Sequence, residues 1–284
     1  FKFMNVLELI KKGSSQIKKK NIITYMLDSE ILLSKVLNKK REEILINLDK
    51  KICTNLVSRY SALIKRRSNN EPVAYICKEK EFWSKNFYVN INTLIPRPET
   101  ELMVDKLIKK FKDKKISILD IGTGSGCILI SLLSELKNSR GIGIDISKNA
   151  VLIAKKNAKK YKMQHNTKFF KKPLSSNFIQ KFDLIVSNPP YIMSKDIKNL
   201  SDDIKKFEPR IALDGGNDGL DLIKKVIYKT KNILKIKGTL ALEIGNEQYK
   251  KVSKTLVENN FKIEHAVKDY KDNVRCLIST YLKN

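Results

Sequence analysis

A chain of 284 residues, 42% hydrophobic and 31% charged, has the length of about two domains and the balance of a folded protein, which excludes intrinsic disorder. Its formal net charge is +27, from 57 Lys and Arg against 30 Asp and Glu, and only eight of the 57 are Arg. No run of about 18 apolar residues is present, because the nearest stretch, 116–134, is broken by Asp120, Gly122, Gly124 and Gly126, so no membrane span is expected.

Phe1, Lys2 and Phe3 precede Met4, which makes Met4 a candidate start with three residues read upstream of it. The opening apolar stretch is too short for a signal peptide before Lys11 and Lys12. Residues 4–70 lack strand-like alternation and show helical apolar spacing, as in Leu27, Ile31, Leu32 and Val36, then Leu56, Tyr60, Leu63 and Ile64. Asp28 and Ser29 are expected to cap one of these helices. The basic clusters Lys18–Lys20, Lys39–Arg41 and Lys65–Arg67 are expected at solvated helix ends. Residues 1–72 therefore form a helical domain. Pro72 ends that pattern, and Phe82-Trp83 with Phe87–Ile91 predicts a β-hairpin linker over 73–95.

From 96 to 284 strands and helices alternate. Strands are expected at 116–121, 141–146, 167–171, 182–187, 238–244, 261–267 and 274–282, and helices at 126–136, 148–161, 220–234 and 248–259. Such alternation predicts an α/β domain with a parallel sheet covered on both faces. Cys53, Cys77, Cys127 and Cys276 are scattered without CxxC spacing, which argues against a zinc site or disulfide framework and for a reducing cytoplasm.

Two motifs carry chemistry. Asp120-Ile121-Gly122-Thr123-Gly124-Ser125-Gly126 joins a strand to a helix, where glycines let a ligand approach backbone N–H groups. Asp145 ends the next strand and can take the hydroxyls of a ribose. Cys127 stands at the third glycine position of the dinucleotide fingerprint, so an adenosine cofactor other than a nicotinamide is favoured, S-adenosylmethionine first. The second motif, Asn188-Pro189-Pro190-Tyr191, directly follows a strand. A carboxamide accepts and donates, and two prolines fix the backbone beside it. The group can hold a planar –NH2 and aim its nitrogen at an electrophilic methyl.

Asn-Pro-Pro-Tyr at this place resembles the amino-methyltransferases. Leu94-Ile95-Pro96-Arg97-Pro98-Glu99-Thr100-Glu101, Glu71–Ile76, Glu208–Gly216 with Asp218-Gly219-Leu220, and Leu240–Gln248 narrow the resemblance to the PrmC (HemK) family of peptide chain release factor N5-glutamine methyltransferases. The resemblance implies a class I S-adenosyl-L-methionine-dependent methyltransferase with a seven-stranded, Rossmann-like sheet, an N-terminal substrate-binding helical bundle and a linking hairpin. It implies methyl transfer to the glutamine amide of the Gly-Gly-Gln motif in class-1 release factors. Gly122, Thr123, Gly124, Ser125 and Gly126 would line the methionine part of the cofactor, and Asp145 the ribose. Asn188 and Pro189 would bind the substrate amide, with Asn188 also beside the cofactor, and Pro190 and Tyr191 would complete the pocket. The family's Asp-Trp pair beside adenine falls on Lys172 and Pro173, leaving Pro173 as a cofactor contact without an acceptor or an aromatic plate. No metal is implied.

Rival readings are an adenine-N6 DNA methyltransferase, a glutamine methyltransferase of a large-subunit ribosomal protein, and a non-catalytic RNA-binding scaffold. Against the DNA enzyme, no separate target-reading domain or strand-insertion loop is visible. The charge has two readings: a compositional bias toward Lys, or attraction to an RNA-rich or acidic partner.

Overall fold

The computed structural model describes residues 4–282; Phe1 to Phe3, ahead of the candidate start at Met4, lie outside them. The backbone divides into two units, Phe1–Glu79 with Ser201–Phe207, and Lys80–Leu200 with Glu208–Asn284.

The first unit pairs two short strands, β1 (Met4–Asn5) and β2 (Lys51–Ile52), and carries α1 (Val6–Lys18), α2 (Tyr25–Leu37), α3 (Arg41–Leu45), α4 (Thr54–Ser68) and α5 (Val73–Cys77). Each strand is two residues long, too short to leave an alternating pattern. Asn5 starts α1 with a reciprocal cap: its Oδ1 accepts from the Glu8 N–H at 2.8 Å and its own N–H donates to Glu8 Oε2 at 2.9 Å. Val6, Leu9, Ile10, Gly13 and Ile17 then face the core at helical spacing. Gly13 is required by close approach, because a Cβ there would lie 2.0 Å from Tyr60 Oη.

Asp28 and Ser29 are not caps. Thr24 holds the N-cap position, and both residues lie buried within α2. Asp28 Oδ2 accepts from Arg67 Nε at 2.6 Å and from Thr24 Oγ1 at 2.8 Å. Ser29 Oγ donates to the Ile10 carbonyl at 2.9 Å and lies 2.6 Å from Tyr60 Oη. The Lys65–Arg67 cluster is correspondingly split: Arg67 turns inward with its side chain 7% exposed. Capping would leave the carboxylate in water, whereas its burial demands a fixed cation.

Residues 73–77, expected within the hairpin, are the helix α5. In the second unit the hairpin is β3 (Lys80–Phe82) and β4 (Lys85–Phe87), turned by Trp83 and Ser84 at φ 52° and 53°. Positive φ at both central residues suits a two-residue turn. Residues 88–91 do not continue the strand. The Tyr88 N–H donates to Asn157 Oδ1 at 2.8 Å and its carbonyl accepts from Asn157 Nδ2 at 3.0 Å, so a side chain takes the place of a neighbouring strand.

α6 (Pro98–Phe111) follows, with Pro98 at its first turn and Met103, Val104, Leu107 and Phe111 buried. No element is expected here from the sequence pattern. Then come β5 (Ser117–Ile121), α7 (Cys127–Glu135), β6 (Arg140–Asp145), α8 (Lys148–Lys160), β7 (Thr167–Lys171) and β8 (Phe182–Ser187). α9 (Asp202–Phe207) belongs to the first unit, where Asn70 Nδ2 donates to Asp202 Oδ2 at 3.3 Å. The second unit resumes with α10 (Asp221–Ile233), β9 (Leu234–Glu243), α11 (Tyr249–Glu258), β10 (Phe261–Lys268) and β11 (Val274–Tyr281).

The seven-stranded sheet has the order β10-β11-β9-β8-β5-β6-β7. β9, β8, β5, β6 and β7 run parallel, and β11 is antiparallel to both neighbours. Its central strands β5 and β8 are mostly apolar and buried because helices cover both faces, with Asp120 and Asp183 as the charged exceptions. β5 has β6 on one side and β8 on the other. The connections that leave these strands diverge there, opening a crevice at the carboxyl edge.

Replacing Arg67 by Met should cost about 3–5 kcal/mol by stranding the buried Asp28 carboxylate. Urea unfolding measures the loss, and pairing Arg67→Met with Asp28→Leu should recover at least half of it.

Candidate functional site

The glycine loop leaves β5 at the crevice. Gly122, Gly124 and Gly126 have φ of 74°, 53° and 80°, a region that L side chains rarely adopt. At Gly122 an added Cβ would meet nothing within 4 Å, so there the backbone angle alone calls for glycine. At Gly126 a Cβ would also press on Ala154, Ile130 and Phe169 at 3.2–3.3 Å. The N–H groups of Gly122 and Thr123 both donate to the Ile144 carbonyl, at 2.9 and 3.0 Å, tying the loop to β6. Asn157 Nδ2 also donates to the Ser125 carbonyl at 2.8 Å, so α8 braces the loop and the segment after the hairpin together.

Asp145, at the end of β6, accepts from the Gly124 N–H at 3.0 Å and from the Ser147 N–H at 2.9 Å. Burial pushes its carboxyl upward, and these N–H groups oppose that push. Each oxygen keeps acceptor capacity for a hydroxyl. The Lys172 N–H donates to the Asp145 carbonyl at 3.0 Å, which brings Lys172 and Pro173 into the same wall. Lys172 Nζ lies 5.7 and 5.8 Å from the Phe170 and Phe178 rings.

Asn188, Pro189 and Pro190 leave β8 on the other side of β5 and line the cavity; Tyr191 does not. Tyr191 turns to Glu243, with its hydroxyl 3.4 Å from Oε1, and receives Arg275 Nη2 at 3.1 Å. Burial beside Glu243 pushes the phenol up to about 12. Gln248 holds the loop's exit, donating through Nε2 to the carbonyls of Tyr191 at 3.0 Å and Gly219 at 3.1 Å.

Several residues without an assigned role in the sequence reading complete the site. Thr100 Oγ1 donates to Glu243 Oε2 at 2.5 Å and lies 3.4 Å from Asn188 Nδ2. Arg97, in the cavity wall, is paired with Glu208 at 2.5 Å, and Glu208 Oε2 accepts from the Ile95 N–H at 3.0 Å. The Leu94–Glu101 and Glu208–Gly216 stretches had been noticed as signatures; the structure joins them through this ion pair. Asp120, fully buried, accepts from Thr123 Oγ1 at 2.7 Å.

One cavity of about 910 Å³ takes in Gly122 to Ser125 of the glycine loop, Asp145, Pro173, Asn188 and Thr100, while Gly126 packs behind it. The side-chain-free backbone of the loop, the Asp145 carboxylate and the Asn188 carboxamide thus face a single space, with room for an adenosine-bearing molecule beside a small planar group. Among the described residues, no group of three or more His, Cys, Asp or Glu could hold a metal ion, and no helix is long and apolar enough to cross a membrane.

Burial, with Asp145 nearby, raises the Asp120 carboxyl from 3.8 to about 7. A raised carboxyl contributes stability that is whole below about pH 4 and is lost as pH climbs through about 7. Asp120→Asn removes that dependence. Between pH 5 and 7 the wild type should lose up to about 1.4 kcal/mol per pH unit relative to the variant, measured by urea unfolding.

Two family models match the chain: the PrmC N-terminal domain over residues 8–77 and the methyltransferase small domain over residues 98–206. A release factor glutamine methyltransferase of Buchnera aphidicola (subspecies Acyrthosiphon pisum) is 40% identical, covering 97% of this chain and 98% of that protein. A bifunctional methyltransferase of Rickettsia felis is 35% identical over 96% of this chain, which spans 58% of that longer protein. Among solved structures, a methyltransferase from Pyrococcus furiosus matches with a TM-score of 0.53 at 16% identity, covering 80% of this chain and 100% of that one. A ribosomal protein L11 methylase from Lactobacillus delbrueckii matches with a TM-score of 0.50 at 20% identity, covering 66% of this chain and 81% of that one. These likenesses show the methyltransferase fold, and 40% identity with the Buchnera protein over nearly the full length of both shows the family: the chain belongs to the release factor glutamine methyltransferases.

Proposed function

We propose that the chain transfers the methyl group of S-adenosylmethionine to the side-chain amide nitrogen of the glutamine in the Gly-Gly-Gln motif of class-1 release factors. The observation that carries this reading is the carboxamide of Asn188 set in the cavity that the glycine loop and Asp145 also line. The cofactor would lie along Gly122 to Gly126, with its ribose on Asp145 and its adenine between Ile146 and Pro173. Ile146 is 48% exposed in that wall, an apolar plate where Lys172-Pro173 offers neither acceptor nor aromatic ring.

An amide nitrogen is a weak nucleophile, because its lone pair is delocalised into the carbonyl. The sulfonium supplies an already activated methyl. What this chain contributes is placement: Asn188 Oδ1 and a carbonyl of the proline loop accept the two amide hydrogens. That holds the nitrogen in line and stabilises positive charge growing on it. No residue has to act as a strong base, and the proton leaves to water.

The helical unit, with its Lys-rich surface, is read as the part that recognises the folded release factor. The compartment would be the cytoplasm, where release factors work.

Radiolabelled methyl transfer to purified release factor, large-subunit ribosomal protein and duplex DNA, side by side, tests the assignment. Label should enter release factor and be lost when its motif glutamine is replaced; label in DNA or ribosomal protein alone would overturn the reading. Asn188→Ala should lower kcat by about 10²–10³, the usual loss for one preorganised polar group, while the Kd for S-adenosylmethionine by calorimetry stays within about threefold. Asp145→Asn should do the reverse, raising that Kd, because a charge-assisted hydrogen bond is roughly twice as strong as a neutral one.

A further inference from the structure

A carboxamide is nearly symmetrical in shape and opposite in chemistry at its two ends. The reading above requires Asn188 to show its oxygen to the substrate, and turned over it would set N–H against N–H. Something must therefore set its rotation. Its Nδ2 lies 3.4 Å from Thr100 Oγ1, and a hydroxyl can in general donate or accept.

Counting hydrogens along the buried chain removes that ambiguity. Arg275 Nη2 can only donate, and it donates to Tyr191 Oη at 3.1 Å. The Tyr191 proton is then directed to Glu243 Oε1 at 3.4 Å. Thr100 lies 2.5 Å from the other oxygen of the same carboxylate. Two hydroxyls converge on Glu243, which is 1% exposed at the end of β9, with a guanidinium one residue away as the balancing charge. A carboxylate offers only acceptors, so the single hydroxyl hydrogen of Thr100 is committed to it. Thr100 Oγ1 has only lone pairs left for Asn188, and only Nδ2 can meet them.

We infer that Thr100 and Glu243 are positioning residues that fix the rotation of the Asn188 carboxamide, holding Nδ2 against α6 and presenting Oδ1 to the substrate amide. The inference rests on the proposed role of Asn188. It also gives a task to Thr100 in the Leu94–Glu101 stretch and to Glu243 in the Leu240–Gln248 stretch. Tyr191, outside the cavity wall, becomes the link that carries the charge of Arg275 to Glu243.

The relay makes a prediction that a merely structural network does not. Asn188→Asp keeps an acceptor for the substrate but sets a second carboxylate against Thr100, whose only hydrogen belongs to Glu243. Its kcat should fall about a hundredfold, in the range for loss of an oriented catalytic dipole. Adding Glu243→Gln supplies an N–H to Thr100 and frees the Thr100 hydrogen for position 188. The double variant should therefore be at least about tenfold faster than Asn188→Asp alone, whereas Glu243→Gln by itself should be slower than wild type. A double variant no faster than Asn188→Asp would overturn the relay.

A second measurement needs no substrate. In 15N-labelled full-length protein the Asn188 side-chain amide is assigned by its loss in Asn188→Ala. One of its two protons should exchange slowly with solvent in the wild type and in Thr100→Ser, and rapidly in Thr100→Val. Two freely exchanging protons in the wild type would also overturn the relay. Slow exchange together with no methyl transfer to release factor would instead overturn the functional reading and leave the carboxamide's rotation as inferred.

Discussion

The site depends on one topological constraint: β5 lies between β6 and β8, and the chain leaves these three parallel strands at the same edge. Helix connections cannot cover both sides of β5 at that point, so a crevice opens there without any side chain being sacrificed to make it. Asp145 ends β6, and the glycine loop and Asn188 directly follow β5 and β8. Gly124 and Asp145 are 21 residues apart and Asp145 and Asn188 are 43 apart, yet hydrogen-bonded strand register sets their spacing to within the stiffness of a sheet. The groups proposed to bind and orient therefore sit at the ends of rigid elements, as a reaction that relies on placement requires.

The crevice by itself would be soft on its outer side, and the observed braces are polar, not apolar. Asn157 grips Tyr88 and Ser125 from α8, Gln248 grips Tyr191 and Gly219, and the Arg97–Glu208 pair closes the wall opposite. Each joins backbone segments that no sheet or helix ladder could reach. Buried polar groups are costly unless satisfied, so a brace of this kind holds one geometry and penalises every other.

The chemistry-bearing residues were legible in the sequence because their signals are local. Gly122 to Ser125, Asp145 and Asn188 to Pro190, which meet at the cavity, each stand out by residue type next to an apolar strand, whereas Tyr191, expected in the same pocket, lies outside its wall. The braces were not, because their meaning lies in pairing across long stretches of chain. Thr100 and Glu243 are 143 residues apart, and neither shows from its neighbours that it faces the other. The same limit misplaced Asp28 and Ser29. A helix start rich in polar residues reads as a cap, and only the arrival of Arg67 from α4 turns it into buried charge. Residues 73–77 and 88–91 failed for a different reason: short segments take the form their hydrogen-bond partners offer, helix in one case and a side-chain clamp in the other.

The pairing pattern also bears on the charge. Of the eight Arg in the chain, Arg41, Arg66, Arg67, Arg97, Arg210 and Arg275 all form ion pairs, with Glu30, Glu71, Asp28, Glu208, Asp214 and Asp269. Those at Asp28 and Glu208 meet carboxylates whose side chains are 8% and 1% exposed. A planar guanidinium can satisfy a carboxylate in fixed geometry, whereas a lysine is a hydrated point charge on a flexible stem. Where structure demands a cation of defined shape, this chain uses arginine. Several of its lysines pair with exposed carboxylates one turn away in the chain, as Lys39 with Glu43, Lys109 with Asp105 and Lys206 with Asp202, where such pairs contribute little. That division is what a compositional drift toward lysine would leave: it fills positions that ask only for charge and stops at positions that ask for geometry. The resulting positive surface would still quicken encounter with an acidic partner, since long-range attraction depends on the sum of charge and not on how it arose.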